Sequence, residues 1–175
     1  MGGLLIVAGI LAAATPARAD IWKNLHDETK CMGVSGGTMT SGTKIIIWDC
    51  DGHPDQNWGL YYTGYGNYSQ IYDHATPSPE DPASECIALP RAQTADGTYF
   101  IIWNCTSFTD DQKWFPFYVT TDSNGHNCYS FENLLANERG QGTMVPSPYL
   151  NEVQDGQLVV LEQWHGWDTQ TWCSY

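Results

Sequence analysis

The sequence has 175 residues, of which 20 are Asp or Glu and 7 are Lys or Arg, so its formal net charge at pH 7 is −13. Because such an acidic chain is repelled by phosphate groups and by anionic lipid, nucleic acids and membrane surfaces are disfavoured as partners. Charged residues make up only 15% of the chain and aromatic residues 13%. This composition favours contacts made by ring stacking and hydrogen bonds.

The N-terminal segment is typical of a secretory signal peptide. An apolar run over residues 4–14 is followed by Ala17-Arg18-Ala19, a small-x-small cleavage signal. The run is about half the ~20 residues that a membrane-spanning helix needs. We therefore expect residues 1–19 to be removed, leaving one secreted, extracellular domain over residues 20–175 without membrane insertion. A buried N-terminal helix is the alternative.

The strand signals follow in chain order. An entry strand begins at residue 21, a second short strand covers 31–34, and the strongest signal lies over residues 42–48. A Tyr-rich segment, residues 61–72, is expected to close one repeat and open the next. Residues 134–136 suggest a single helical turn inside a longer third repeat.

One pattern is written three times along the domain. Each copy has a Gly turn, a short apolar run and a closing Gln-x-Trp, over residues 41–58, 96–114 and 155–172. Short strands, frequent Gly and Pro turns and the absence of sustained helical periodicity predict an all-β domain. The three units cover approximately residues 21–70, 71–120 and 121–175.

An even number of cysteines behind a signal peptide predicts disulfide bonds. The six are Cys31, Cys50, Cys86, Cys105, Cys128 and Cys173. The first and second, and likewise the third and fourth, are 19 residues apart and bracket the Gly turn. This spacing favours those two bridges and leaves the last two cysteines for a third. A zinc site is disfavoured, because the chain has no Cys-x-x-Cys and no His at ligand spacing. We expect no metal and no cofactor.

Alternation along the strands separates a buried face from an exposed one. Six residues after the turn glycine come Trp48, Trp103 and Glu162. Because a carboxylate is rarely buried without a partner, this position is expected at the surface in every repeat. The flanking apolar residues and the closing tryptophans are expected in the core; they are Ile45, Ile47, Phe100, Ile102, Val159, Leu161, Trp58, Trp114 and Trp172.

The two exposed tryptophans are candidate stacking platforms for a small polar ligand. A tryptophan covered by its own loops is the alternative. The residues before each repeat glutamine, which are Asp55, Asp111 and Thr169, are candidate hydrogen-bonding groups. Repeats one and two hold both a Trp and an Asp, whereas repeat three holds neither. Binding is therefore expected in the first two repeats only.

The Gln-x-Trp triplets at 56–58, 112–114 and 170–172, with the two matching cysteine pairs, resemble the ricin-type lectin β-trefoil family over about residues 21–175. The resemblance implies twelve strands in three pseudosymmetric units, each with a shallow potential sugar site. It implies that the carbohydrate-binding residues are Trp48, Asp55, Gln56, Trp103, Asp111 and Gln112.

The sequence departs from this family at one binding position. Active family sites usually carry an Asp two residues after the first cysteine of the repeat. The corresponding residues here are Gly33, Ala88 and Ser130. None of them supplies a carboxylate, and the nearby residues considered as substitutes are Ser35, Thr38 and Asp51.

The leading hypothesis is a secreted, non-catalytic lectin whose partners are glycans or polysaccharide. The alternative is a trefoil that has lost sugar binding and presents inserted loops, residues 75–84 and 132–152, to a protein partner. A hydrolase inhibitor or a toxin accessory subunit would fit that role. An enzyme is disfavoured, because the five histidines belong to no recognisable nucleophile or metal motif and the repeats use the whole domain.

Overall fold

The computed structural model describes residues 20–77, 79 and 81–175, so the signal peptide predicted at residues 1–19 lies outside the described residues. The described residues form twelve strands and one short α-helix. The strands are β1 (Asp20–Asn24), β2 (Lys30–Val34), β3 (Ile45–Asp49), β4 (Asn57–Tyr62), β5 (Ser69–Asp73), β6 (Glu85–Ala88), β7 (Ile101–Asn104), β8 (Trp114–Thr121), β9 (Asn127–Asn133), β10 (Met144–Pro148), β11 (Val159–Gln163) and β12 (Trp172–Ser174).

The helix α1 (Leu134–Glu138) lies where the sequence predicts a helical turn. Its N-terminus is capped by the side chain of Asn133, which accepts a hydrogen bond from the amide of Ala136. None of the helices formed by the described residues is long and apolar enough to cross a membrane.

Two kinds of short 3-10 turn recur in each repeat. We call the turns after β2, β6 and β10 the left-handed turns; they are Ser35–Gly37, Pro90–Ala92 and Tyr149–Asn151. We call the turns that contain the repeat glutamine the motif turns; they are Pro54–Gln56, Asp110–Gln112 and Asp168–Gln170.

Six strands close into an antiparallel barrel. Strand β1 pairs with β12 and β4, β5 pairs with β4 and β8, and β9 pairs with β8 and β12. Closure leaves these strands without a free edge. The remaining strands form three hairpins, β2–β3, β6–β7 and β10–β11. This is the predicted β-trefoil of twelve strands in three units.

The three hairpins are locked together by their glycine turns. Each turn glycine donates its amide to a carbonyl on the last strand of another repeat's hairpin at 2.8 Å: Gly42 to Ile102, Gly97 to Leu161 and Gly156 to Ile47. The turns require glycine because their backbone φ angles, +93°, +79° and +80°, are positive. Repeat one therefore rests on repeat two, two on three and three on one.

The closing tryptophans form the centre of the core, as predicted. Trp58, Trp114 and Trp172 are fully buried, together with the predicted apolar residues of β3 and β11, Ile102 on β7 and Phe100 just before it. Each indole N–H donates to a main-chain carbonyl on the second strand of its own repeat, so burying this polar group leaves it satisfied. The acceptors are Met32, Ile87 and Pro146.

These indole hydrogen bonds identify equivalent residues and correct one prediction. The residue after each acceptor is Gly33, Ala88 and Ser147. Ser147, not Ser130, is therefore the counterpart in repeat three. Ser130 lies on the barrel strand β9, because Cys128 stands on the first strand of its repeat rather than the second.

The three predicted disulfides are present. Cys31–Cys50 and Cys86–Cys105 each join the second strand of a repeat to the residue after its third strand. The third bridge, Cys128–Cys173, instead joins adjacent barrel strands, β9 and β12. On the chain-entropy model each bridge stabilises the fold by about 3–4 kcal/mol.

Candidate functional site

The concavity of repeat one, which we call site one, lies between β3, the left-handed turn and the motif turn. It has a volume of about 380 Å³, within the range of small-molecule pockets. Trp48 on β3 forms one wall and is 44% exposed, so its predicted exposure is confirmed. Gly37 and His53 also line the site, together with the motif residues Asp55 and Gln56.

Asp55 is buried in site one but keeps its carboxylate hydrogen-bonded. Its Oδ2 accepts the amide of Val34 at 2.9 Å, and its Oδ1 contacts Nδ1 of His53. A carboxylate has about four lone-pair positions. Two of them are thus used by the protein.

The missing carboxylate of β2 has a physical counterpart in Asp55. A Cβ atom on Gly33 would lie 3.1 Å from Oδ2 of Asp55 and 3.2 Å from Cγ of Gln56. The motif-turn carboxylate therefore occupies the space beside position 33. Site one therefore keeps the acidic group of the motif turn and lacks the one on the second strand.

The three polar substitutes considered from the sequence are placed differently. Ser35 and Asp51 line site one, whereas Thr38 is not among the lining residues and donates its hydroxyl to the carbonyl of Gly36 at 3.4 Å. The carboxylate of Asp51 accepts a hydrogen bond from the backbone amide of His53 at 2.9 Å. This bond lies within the loop that carries the histidine.

His53 is a lining residue that sequence reasoning did not select. A Cβ atom on Gly37 would lie 2.9 Å from Cε1 of the His53 ring, and the φ angle of Gly37 is +62°. Glycine is therefore required at this position by the backbone and by the imidazole together. The available signal was the Gly36-Gly37 pair, which indicates a turn but not what packs against it.

The left-handed turns have the same backbone in all three repeats. Two consecutive residues in each have φ angles between 54° and 67°, namely Gly36 and Gly37, Arg91 and Ala92, and Leu150 and Asn151. Outside glycine this conformation costs about 1 kcal/mol or more for each residue. Strain of this kind clusters at ligand-binding sites. Repeats two and three retain the strained turn without glycine.

The concavity of repeat two, which we call site two, repeats the arrangement with other neighbours. Its volume is about 520 Å³, and Trp103 in its wall is 50% exposed. Tyr99, Arg91 and Thr109 also line it. Burial raises the pKa of Asp111, although hydrogen bonds from Thr109 and from the amide of Leu89 oppose this rise.

The motif glutamines are buried and use both ends of their amides inside the protein. Nε2 of Gln56 donates to the carbonyl of Asp49 at 2.8 Å, and its Oε1 accepts the amide of Asp51 at 3.2 Å. Gln112 does the same with Asn104 and Thr106. These bonds hold the loop that closes each site. A direct contact between these glutamines and a ligand stays a prediction.

Repeat three lacks both elements of the site. Glu162 is partly buried, and the hydroxyl of Thr169 donates to Oδ1 of Asn151 at 3.0 Å. The concavity of repeat three, of about 500 Å³, is lined by Asn151 and Thr169 and contains Trp167 instead, whose ring stacks on His165 with centroids 4.4 Å apart. The repeat-three Trp167 stands on the loop before the motif turn, so face-by-face reading of the strands did not select it.

The predicted inserted loops occupy one topological place in two repeats. Residues 74–84 connect β5 to β6, and residues 134–143 connect β9 to β10, whereas residues 25–29 connect β1 to β2. The predicted bounds 132–152 of the second loop are wrong, because Met144–Pro148 forms the buried strand β10. The extra length in repeats two and three therefore lies between the first and second strands.

Comparison with known proteins agrees with this architecture. Residues 22–172 match the family described as the ricin-type beta-trefoil lectin domain. No curated protein sequence matches the chain.

Solved structures are similar in fold at low identity. A designed threefold symmetric protein, ThreeFoil, has a TM-score of 0.69 at 18% identity over 89% of this chain and 96% of its own. The Rhizoctonia solani agglutinin has a TM-score of 0.67 at 17% identity over 92% of this chain and 96% of its own. An exo-β-1,3-galactanase from Clostridium thermocellum has a TM-score of 0.72 at 17% identity over 91% of this chain but 30% of its own. With the family match covering most of its length, the chain belongs to the ricin-type β-trefoil lectin domain family.

Proposed function

We propose that this protein is a secreted, non-catalytic carbohydrate-binding module that acts through sites one and two. The observation that carries the proposal is an exposed indole beside a buried carboxylate in both sites, Trp48 with Asp55 and Trp103 with Asp111. Membership of a lectin-domain family and similarity to an agglutinin support it.

Binding would combine one stacking surface with a few directed hydrogen bonds. The apolar face of a pyranose packs on the indole, and its hydroxyls donate to the carboxylate of Asp55 or Asp111. Nothing covalent changes, so the interaction is reversible. The net charge of −13 favours neutral glycans over anionic polysaccharides.

Secretion is proposed on the chemistry of the cysteines. All six form disulfides within the described residues. Such bonds persist in oxidising compartments and are rare where glutathione keeps thiols reduced. The sequence of residues 1–19 is consistent with export.

The proposal is tested with a broad glycan array and insoluble plant polysaccharides. The wild-type protein is compared with Trp48→Ala, Trp103→Ala and the double variant. Each single variant should keep one site, and the double variant should lose affinity by at least about tenfold, since an aromatic anchor has been truncated. Trp167→Ala is the matched control, an equally exposed tryptophan outside both sites. Unchanged glycan binding by the double variant would rule out the two platforms.

A protein-binding role is the second candidate, and the inserted loops favour it. Repeats two and three carry long connections, residues 74–84 and 134–143, at the same place in the fold. If the array is negative for the wild-type protein and affinity capture recovers a partner that shortening of either loop abolishes, this second function replaces the first.

A further inference from the structure

The last residue of the first strand is buried in every repeat, and it is an asparagine in two repeats but an aspartate in the other. Asn24 ends β1, Asp73 ends β5 and Asn133 ends β9, and all three are 0% exposed. Each lies opposite the closing tryptophan of the adjacent barrel strand: Asn24 opposite Trp172, Asp73 opposite Trp58 and Asn133 opposite Trp114. The three positions are therefore structurally equivalent.

The two asparagines brace the motif turns. Nδ2 of Asn24 donates to the main-chain carbonyl of Thr169 at 2.8 Å, and Nδ2 of Asn133 donates to that of Asp111 at 3.1 Å. Both acceptors are the residues that immediately precede the motif glutamine. The side-chain oxygen of each asparagine accepts a nearby amide, from His26 or Ala136.

Asp73 reproduces only half of this brace. Its Oδ1 accepts the amide of Ala75 at 2.7 Å, as the asparagine oxygens do. Its Oδ2 is buried and has no hydrogen-bond partner. Because the three positions are equivalent, Oδ2 of Asp73 takes the place of the asparagine Nδ2 and faces the main-chain carbonyl of Asp55, the residue before Gln56. An ionised carboxylate has no proton to donate to a carbonyl, whereas a neutral carboxylic acid has one.

We propose that Asp73 is a positioning residue for site one and acts as a neutral carboxylic acid, with its Oδ2–H donating to the main-chain carbonyl of Asp55. Through Asp55 it holds the carboxylate that site one presents, so this inference rests on the proposed function of that site. Site two has the permanent amide of Asn133 in the same role. The brace of site one then depends on pH, whereas the brace of site two does not, because the amide of Asn133 does not titrate.

The electrostatics of Asp73 agree with this assignment. Burial raises the pKa of Asp73 to about 7; the amide of Ala75 opposes the rise, the charge of Asp55 adds to it, and His53 opposes it. Asp55 and His53 are the charged groups that act on it from the motif turn and its preceding loop.

The other titratable neighbours lie along β5 and beside it. His74 follows in sequence, and burial lowers its pKa while Asp20 on β1 acts in the opposite direction. Tyr72 precedes Asp73, and burial raises its pKa. The carboxyl of Glu85 on β6 is engaged by the hydroxyl of Ser41. Below pH 7 the acid form of Asp73 predominates, and above it the brace is lost because two acceptors then face each other.

The test monitors the hydrogen bond between Asp73 and Asp55 in the absence of glycan. A negative result is therefore distinct from failure of the proposed function. In the wild-type protein the backbone amide shifts of Val34 and Leu89 are followed by ¹⁵N NMR from pH 5 to pH 9. Val34 reports on Asp55, and Leu89 reports on Asp111. We expect a titration of Val34 centred near pH 7 that depends on Asp73, whereas any titration of Leu89 follows the raised pKa of its own acceptor, Asp111.

The decisive variant is Asp73→Asn, which is isosteric and restores the brace found in the other two repeats. The titration of Val34 should disappear in it and should persist in His53→Gln. Loss of the titration in His53→Gln, its persistence in Asp73→Asn, or its absence from the wild-type protein would each overturn the proposal. The reciprocal variant Asn133→Asp should create a new titration at Leu89, and a Leu89 amide unmoved in this folded variant would also count against it.

Discussion

Repeats one and two share an outer face that repeat three has lost, while all three share one interior. The closing tryptophans Trp58, Trp114 and Trp172 are equally buried, and their indoles donate to equivalent carbonyls. On the outside, Trp48 and Trp103 correspond to Glu162. The interior is constrained by packing in every copy, and the surface is constrained only where a site is built.

The largest effect should come from the shared interior. Trp172→Ala is expected to destabilise the fold by about 3–5 kcal/mol, as much as Trp58→Ala, because both rings are fully buried. Chemical denaturation measures both. A much smaller loss of stability in Trp172→Ala than in Trp58→Ala would contradict the equal packing of the two rings and would mean that the interior of repeat three is less tightly packed.

The next effect separates the brace of the repeat-one motif turn from the braces of the other two motif turns. Since the pKa of Asp73 is raised to about 7 in the folded protein, from about 3.9 in the unfolded chain, the folded state holds a proton that the unfolded chain has released. The free energy of unfolding should therefore fall as pH rises from about 4 to about 7, by at most about 1.4 kcal/mol per pH unit from this group.

Asp73→Asn is the matched variant for this pH dependence. It should lack this contribution and be more stable than the wild-type protein at pH 8, as thermal unfolding across the pH range would show. A wild-type curve that parallels the variant's would contradict it.

A smaller effect is expected from adding the acidic residue of active family sites. Gly33→Asp places a Cβ atom 3.1 Å from Oδ2 of Asp55 and adds a like charge beside it. We expect a loss of stability of about 1–3 kcal/mol and weaker binding at site one, because the space is already taken. Isothermal titration with a glycan identified on the array, in a Trp103→Ala background, measures the binding. Tighter binding would mean that Asp55 does not replace the missing residue.

The last change converts the concavity of repeat three. Glu162→Trp with Thr169→Asp should lower the free energy of unfolding by about 1–2 kcal/mol, because Thr169 is buried and its hydroxyl donates to Asn151, a hydrogen bond that a carboxylate cannot make. The binding stoichiometry should rise from two to three. Calorimetric stoichiometry is the measurement, with Glu162→Ala and Thr169→Ala together as the control. A stoichiometry that stays at two would show that Trp and Asp are insufficient without the neighbours found in sites one and two.

Most of the fold is predictable from residues that repeat along the chain. The Gln-x-Trp endings and the alternating apolar residues beside Trp48 and Trp103 are local patterns, and the alternation decides which face of each strand is buried. Counting from cysteines fails in repeat three because Cys128 bridges barrel strands, while Cys31 and Cys86 tie the hairpin strands. That difference moves the equivalent residue from Ser130 to Ser147.

The site is less predictable, because its partners meet only in three dimensions. Asp55 is selected by its place before a repeat glutamine, but His53 enters through its contact with Gly37. Asp73 lies 18 residues away from Asp55 in sequence, and only the pairing of β4 with β5 brings their regions together. Neither His53 nor Asp73 recurs as the same residue type in all three repeats.

Because each glycine turn is hydrogen-bonded to the hairpin of another repeat, a repeat contributes to a concavity outside itself. Gly156 of repeat three lines site one, and Gly42 of repeat one lines site two, where a Cβ atom would lie 3.8 Å from the Trp103 ring. Each pocket is thus completed by a turn from a different duplicate. Removing repeat three would therefore open a wall of site one as well as remove its own concavity.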